Sequence, residues 1–305
     1  MSLKWIPGLI KTMRPKQWAK NLLIFIPLLF DQQLTHWPAF LRILAGFILF
    51  SLLASVVYII NDLADLEADR QHPKKRLRPI PSGKLSPRTA LMAAIVLLVI
   101  VGVGSIQLSG SFALVCLTYL LLNVAYSKWF KHIPIMDVMV LASFYVLRVV
   151  AGVVPIVVSR FSPWLYVFTT FMALYLGVGK RRAELALLAE NANSHRKVLQ
   201  GYTLPLLDQM IIIVSSSAII TYSLYTFSAP NVPANHSLML TIPFVIFGIF
   251  RYLYLVQVKE SGGAPEDVLF SDRPLQICIA LWGLVIVITF YLIPHWSDIQ
   301  SALNL

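Results

Sequence analysis

Three aspartates and an asparagine close one hydrophobic segment of this chain, in the run Asn61-Asp62-Leu63-Ala64-Asp65-Leu66-Glu67-Ala68-Asp69-Arg70. On a continuous helix, at about 100° per residue, Asp62, Asp65 and Asp69 fall within roughly 60° of one another. Asn61, Asp65 and Asp69 also follow at i, i+4 and i+8, so they share one stripe with Asn61 at its edge, while Glu67 points away. A basic run comes directly after, His72-Pro73-Lys74-Lys75-Arg76-Leu77-Arg78-Pro79. Carboxylates at a membrane edge are costly unless something binds them. Hard oxygen donors at this spacing suit Mg²⁺, which keeps several waters and takes other ligands from phosphates. The chemistry expected is Mg²⁺ on Asn61, Asp62, Asp65 and Asp69 carrying a diphosphate, with Lys75 and Arg78 on the remaining charge. The plain alternative is a solvated helix end after a membrane span.

Other polar residues stand where an apolar chain has little reason to place them. Arg14-Pro15-Lys16-Gln17-Trp18-Ala19-Lys20-Asn21 opens the first apolar stretch. Lys16 and Trp18 read as an interfacial anchor. Lys20 and Asn21 lie deeper and are candidates for a phosphate. Tyr126-Ser127-Lys128-Trp129-Phe130-Lys131-His132 forms a short turn, with Asp137 in the first turn of the next helix. Arg148 lies about 16 Å deeper on that helix and only about 20° around it. At that depth it must face the bundle or a wet cavity, to meet an anionic substrate, the network of Asp137, or an ion-pair partner on another helix. Gly179-Lys180-Arg181-Arg182-Ala183-Glu184 ends a further span. Lys180 and Arg181 suit a helix C-terminus and equally a phosphate, and Glu184 falls one turn beyond Lys180. His36, His195, His236 and His295 read as solvated, whereas His72 and His132 adjoin the charged motifs.

The elements that must position these groups are membrane helices. Of 305 residues, 58% are hydrophobic and 13% charged, against about 25% charged in a soluble domain; the mean hydropathy is +0.74. The expected fold is all-α, a polytopic nine-helix transmembrane bundle forming one integral membrane domain over residues 1–305. The spans are placed at 18–35, 39–61, 88–107, 111–127, 135–158, 163–179, 207–228, 238–257 and 275–294. Long loops are expected at 62–87, 180–206 and 258–274. With the N-terminus in the cytoplasm, 22 of the 25 Lys and Arg flank cytoplasmic ends, the others being Arg42, Arg148 and Arg160. This predicts an N-in, C-out protein of the cell (inner) membrane with the Asp cluster on the cytoplasmic face. Anionic lipid accounts for much of the +11 net charge, and the soluble basic surface that nucleic acid would need is missing. Cys116 and Cys278 sit in apolar segments and read as small buried hydrophobes. No glycine-rich phosphate loop, Ser-His-Asp arrangement or zinc spacing is present.

The pattern Asn61-Asp62-x-x-Asp65-x-x-x-Asp69-Arg70-x-His72-Pro73-x-Lys75-x-x-Arg78-Pro79 resembles the first Asp-rich motif of the UbiA superfamily of intramembrane prenyltransferases. Aromatic prenyltransferases of that superfamily carry a second, DxxxD motif after the sixth helix. Here that position reads Lys180-Arg181-Arg182-Ala183-Glu184. That segment, with Arg14-Pro15-x-Gln17-Trp18-x-Lys20-Asn21 and the Tyr126-Ser127 turn with Lys131 and Asp137, is similar instead to the decaprenyl-phosphate phosphoribosyltransferase branch. The resemblance implies Mg²⁺-dependent transfer of ribose 5-phosphate from phosphoribosyl diphosphate to a polyprenyl (decaprenyl) phosphate, in supply of cell-envelope precursors. It further implies metal on Asp65 and Asp69, assisted by Asn61 and Asp62. Phosphate contacts would come from Lys20, Lys75, Arg78, Lys131, Lys180 and Arg181, and a ribose or orienting contact from Asp137. The other reading is prenyl transfer from a prenyl diphosphate to an aromatic or other lipophilic acceptor. A transporter would spread its polar residues across the membrane depth, whereas here they gather at one face, with Arg148 the main exception. A homo-oligomer is compatible with the sequence.

Overall fold

The computed structural model describes residues 5–158, 162–190, 197–259 and 265–295; Arg160 and His195 lie outside them. The described residues are helical, with no strand among them. The helices are α1 (Ile6–Met13), α2 (Ile26–Phe30), α3 (Trp37–Ala64), α4 (Leu66–Gln71), α5 (Pro87–Leu108), α6 (Gly110–Lys128), α7 (Met136–Val153), α8 (Pro163–Glu190), α9 (Leu204–Ser228), α10 (Ile242–Gln257), α11 (Pro265–Ser271) and α12 (Arg273–Val287). Their ends obey local rules. Ser86, Thr203 and Asp272 accept from the backbone N–H three residues on, which caps α5, α9 and α12. Proline in the first turn costs no hydrogen bond there.

Seven helices among the described residues are long and apolar enough to cross a membrane, where nine spans were expected. The stretch placed at 18–35 is a 3₁₀ segment over Pro15–Phe25 followed by the short α2. Pro27 withholds an N–H group that a continuous α-helix through this stretch would use. The stretch placed at 163–179 lies in α8, which runs on to Glu190; residues 180–190, read as loop, are therefore helical. Its Trp164, Tyr166, Thr169, Thr170 and the Lys180–Arg182 run dilute its apolar character.

The chain divides into two compact units, and it passes from one to the other inside α2, α6 and α7. In residues 1–29, 33–125 and 147–157, α3 is the central helix: Ile43, Phe50, Leu53, Val56 and Ile59 are fully enclosed. Helix α5 shows the opposite pattern. Leu91, Met92, Ile95, Val96, Val99, Val103 and Ile106 are all exposed, as expected of a surface solvated by lipid tails. The backbone of α7 passes close to the 3₁₀ segment, and a Cβ built on Gly152 would lie 2.0 Å from the carbonyl oxygen of Ile24. In the other unit, α8 and α9 pack along one another around Val138, Tyr175, Val178, Leu207, Ile211 and Ile249. The Tyr175 hydroxyl donates to the carbonyl of Ile249 at 2.5 Å.

Candidate functional site

The acidic run does not fold as one continuous helix. Helix α3 ends at Ala64, and Asp65 has φ −92° and ψ 9° before α4 begins at Leu66. The expected stripe is thereby broken at its middle residue. Asp62 and Asp69 are buried, whereas Asp65 is exposed and Asn61 half-buried. Leu63 and Leu66 cause this: on either side of the bend, both pack into a cluster with Val56, Ile59, Ile80, Leu85 and Ala90. Apolar burial on both flanks turns Asp65 outward and draws Asp62 and Asp69 in.

The same cluster delivers the cations. Ile80 and Leu85 anchor the basic loop, which closes through Leu85 N–H donating to Pro79 carbonyl at 3.0 Å. Arg78, next to that anchor, places one guanidinium nitrogen 2.6 Å from Asp69 Oδ2 and 3.2 Å from Asp62 Oδ1. Arg14 donates to the same Asp62 Oδ1 at 2.5 Å and lies over the Tyr58 ring. Lys75 Nζ stands 3.6 Å from Asp69 Oδ1. Arg14 caps α1 with a left-handed backbone, φ 54°. Its direct pairing with Asp62 was not anticipated, although its place before Pro15 at the end of a short amphipathic helix was a visible signal.

Deeper in the same unit, Arg148 donates from Nε to Asn21 Oδ1 at 2.8 Å and from a terminal nitrogen to Tyr119 at 3.3 Å. It also faces the Phe50 and Tyr119 rings. The Asn21 amide donates to Ser51 at 3.0 Å. Asn21, expected at a phosphate, is thus fully buried and engaged with Arg148. Trp18 donates to Ser55 at 3.0 Å, so it is fastened to α3. Lys20 is half-buried.

A second polar cluster belongs to the other unit. Arg181 is fully buried and donates to Asp137 at 2.6 Å, to Glu184 at 2.5 Å and to the Tyr126 hydroxyl at 3.2 Å. Each guanidinium nitrogen therefore has a protein acceptor. Burial opposes the charge on Arg181, but Glu184, Tyr126 and Asp137 together outweigh it and raise its pKa. Tyr202 donates to the second oxygen of Asp137 at 2.6 Å and accepts from Ile135 N–H at 2.5 Å. Burial, then the bond to Asp137, push the Tyr202 phenol upward. Ile135 has φ 71°, an uncommon value for a β-branched residue. Gly201 lets the two segments approach, since a Cβ there would meet Pro134 Cγ at 2.4 Å. Nothing in the local sequence flagged Tyr202, which comes from 65 residues beyond Asp137. Lys131 and Lys180 are half-buried.

Among the described residues, no group of three or more His, Cys, Asp or Glu side chains gathers to hold a metal by itself. Two buried carboxylates converging on one cationic nitrogen nevertheless suit Mg²⁺, which completes its shell from water and phosphate. The donor chemistry fits, and positive charge already occupies the point between the acids.

Residues 23–270 match the UbiA prenyltransferase family. A protein of Mycobacterium tuberculosis named decaprenyl-phosphate phosphoribosyltransferase is 33% identical over 281 residues, covering 91% of this chain and 92% of that protein. One of the same name from Corynebacterium glutamicum is 33% identical over 300 residues, 94% of this chain and 88% of its own length. Among solved structures, a UbiA homolog from Archaeoglobus fulgidus bound to DMAPP and Mg²⁺ superposes with a TM-score of 0.68 at 20% identity. That match covers 93% of this chain and 99% of the other.

Proposed function

The chain belongs to the UbiA prenyltransferase family, and from that premise we propose that it is a multi-pass membrane enzyme transferring 5-phosphoribosyl from phosphoribosyl diphosphate to a polyprenyl phosphate. Diphosphate is released, and the reaction takes place at the cytoplasmic face. One observation carries the reading: Asp62 and Asp69, both buried, converge on Arg78 with Arg14 and Lys75 alongside. A site with two buried acids and several partly exposed cations suits a metal-bound diphosphate. The 33% identity to decaprenyl-phosphate phosphoribosyltransferases along nine-tenths of the chain supports the ribosyl donor. So does the Lys180–Glu184 segment, where Glu184 is paired with Arg181 instead of forming a second acidic pair.

Asp62 and Asp69 would hold Mg²⁺, with Asn61 and Asp65 in the adjoining turn. When bound, the metal supplies neutralisation of the charge that builds on the departing diphosphate. Arg78, Lys75 and Arg14, which pair with these acids, would take the oxygens of that group. Lys20, Lys131 and Lys180 are the half-buried lysines assigned to the remaining phosphates. A phosphate oxygen of the acceptor attacks C1 of the ribose as the C1–O bond to diphosphate breaks. The acceptor oxygen is already anionic, so no protein base need take a proton. Asp137, which Arg181 and Tyr202 hold, is assigned a ribose hydroxyl or an orienting contact to a cation by the likeness to the phosphoribosyltransferases.

The test is transfer of ribose-labelled phosphoribosyl diphosphate to polyprenyl phosphate by the purified protein with Mg²⁺. Label should enter the organic phase and depend on both substrates. Turnover of a prenyl diphosphate with an aromatic acceptor, and no labelled lipid, would assign the chain to prenyl transfer instead.

A further inference from the structure

We propose that Arg78 is a built-in counter-ion. It occupies the metal's place between Asp62 and Asp69 until a diphosphate offers it new acceptors, so that metal and diphosphate bind cooperatively. The proposal deepens the function above and rests on its metal assignment.

The acids are enclosed, and the cations reach them on long, partly exposed side chains. Asp62 and Asp69 are 3% and 1% exposed, one on the last turn of α3 and the other on α4, with the bend between them clamped by Leu63 and Leu66. The side chains of Arg78, Arg14 and Lys75 are 31%, 32% and 44% exposed. Arg78 leaves an extended backbone, φ −64° and ψ 153°, after the 3₁₀ turn at Lys75–Leu77. Its long stem can swing while its anchor at Ile80 stays in the core.

The charges oppose a metal that comes without its diphosphate. Two carboxylates face three cations, so the cluster carries a net formal charge of about +1 before any ligand arrives. A divalent ion arriving alone would meet this excess, and it would compete with Arg78 for Asp69 Oδ2 and Asp62 Oδ1, the oxygens the guanidinium holds at 2.6 and 3.2 Å. Ejecting Arg78 into water forfeits charge-assisted hydrogen bonds, and like charges a few ångströms apart repel strongly at a partly buried site. A diphosphate removes both penalties, because it neutralises the excess and accepts the displaced guanidinium bidentately. Each ligand therefore tightens the other by the same factor, as linkage requires.

The experiment titrates the purified full-length protein with Mn²⁺, reading free Mn²⁺ by its EPR signal, with and without inorganic diphosphate, each titration being corrected by a protein-free one for the Mn²⁺–diphosphate complex formed in solution. Wild type should bind Mn²⁺ weakly alone and at least about tenfold more tightly with diphosphate, within the usual range of coupling. In Arg78→Gln, Mn²⁺ alone should bind about tenfold more tightly than in wild type, and the enhancement by diphosphate should shrink to a few-fold. Arg14→Gln, which removes one of the two cations on Asp62 and leaves Arg78 in place, should fall between. Equal Mn²⁺ affinity with and without diphosphate in wild type would overturn the proposal, whether or not the variants fold. So would an Arg78→Gln protein that binds Mn²⁺ alone no better than wild type. Inorganic diphosphate is common to ribosyl and prenyl donors. Coupling without ribosyl transfer therefore sinks only the donor assignment, and ribosyl transfer without coupling sinks only this proposal. Absence of Mn²⁺ binding in every form sinks both.

Discussion

Asp62, Asp65 and Asp69 have the same chemistry and different surroundings, and the surroundings set what each can do. Asp62 and Asp69 are buried against Arg14, Arg78 and Lys75, whereas Asp65 is exposed at the bend. Asp62→Asn and Asp69→Asn should each lower the rate of lipid labelling at least about 100-fold, the scale of losing a preorganised charge stabiliser. Asp65→Asn should give the smallest loss of the three. Initial rates normalised to monodisperse protein check this, and an Asp65 variant more damaged than the other two would shift the metal toward the bend. Arg181 presents a different case. It is enclosed by Asp137, Glu184 and Tyr126, so Arg181→Met strands Asp137 as a buried anion. About 3–5 kcal/mol of stability should be lost. The double variant Asp137→Leu with Arg181→Met should recover part of it, read as a rise in thermal midpoint over the single variant. An unshifted midpoint in Arg181→Met would show that the pair is not held together in the folded protein.

At the scale of the elements, close backbone approach and helix caps carry the constraints. Gly152 in α7 faces the carbonyl of Ile24 so closely that alanine has no room, while Gly102 in α5 has nothing within 4 Å of its missing Cβ. Gly152→Ala should therefore lower the thermal midpoint by the equivalent of about 1–3 kcal/mol of overpacking. Gly102→Ala should leave it unchanged or raise it slightly, since alanine is the better helix former by about 1 kcal/mol. Similar midpoints for the two would contradict the packing of α7 on the 3₁₀ segment. Asp272 caps α12 and accepts from Arg251 and from Leu275 N–H. The hydrogen bond from Arg251 is the main reason its carboxyl lies below the usual range. A depressed folded-state pKa means the stabilisation is complete above the unfolded value, about 3.9, and is lost as pH falls through the folded value. Asp272→Asn should lower stability at pH 7 and narrow its gap to wild type on acidification below about pH 4, measured by thermal midpoints across that range.

For the whole molecule, the decisive property is which face of the membrane receives the basic loops. Lys and Arg crowd one set of helix ends, and the acidic pair lies at the end of α3 beside the 62–87 loop. An N-in orientation puts that loop in the cytosol, where a soluble, polyanionic donor is found. Single cysteines introduced at Ser82 and at Ser109, in a background lacking Cys116 and Cys278, should separate cleanly. The Ser109 position should react with a membrane-impermeant maleimide in intact cells, and the Ser82 position only after the membrane is opened. The reverse labelling would place the site on the outer face and exclude a cytosolic donor.

The sequence by itself determined the class of the molecule, because a hydrophobic majority with few charges leaves no fold except helices in lipid. It also singled out the charged cluster from which the proposed site is built, because acidic and basic runs side by side at the end of a span need a shared ligand or each other. What it could not determine was which acids share a cation. The helical wheel assumed a regular helix, and the burial of Leu63 and Leu66 against the distant Ile80 and Leu85 bent it at Asp65. Nor could it show that Arg181 is claimed by Asp137, or that Tyr202 reaches back to Asp137 and the backbone of Ile135. Periodicity is a property of neighbours along the chain. The pairing of a buried charge is settled by whichever opposite charge packing brings within hydrogen-bond reach, and that partner can lie at any distance in sequence.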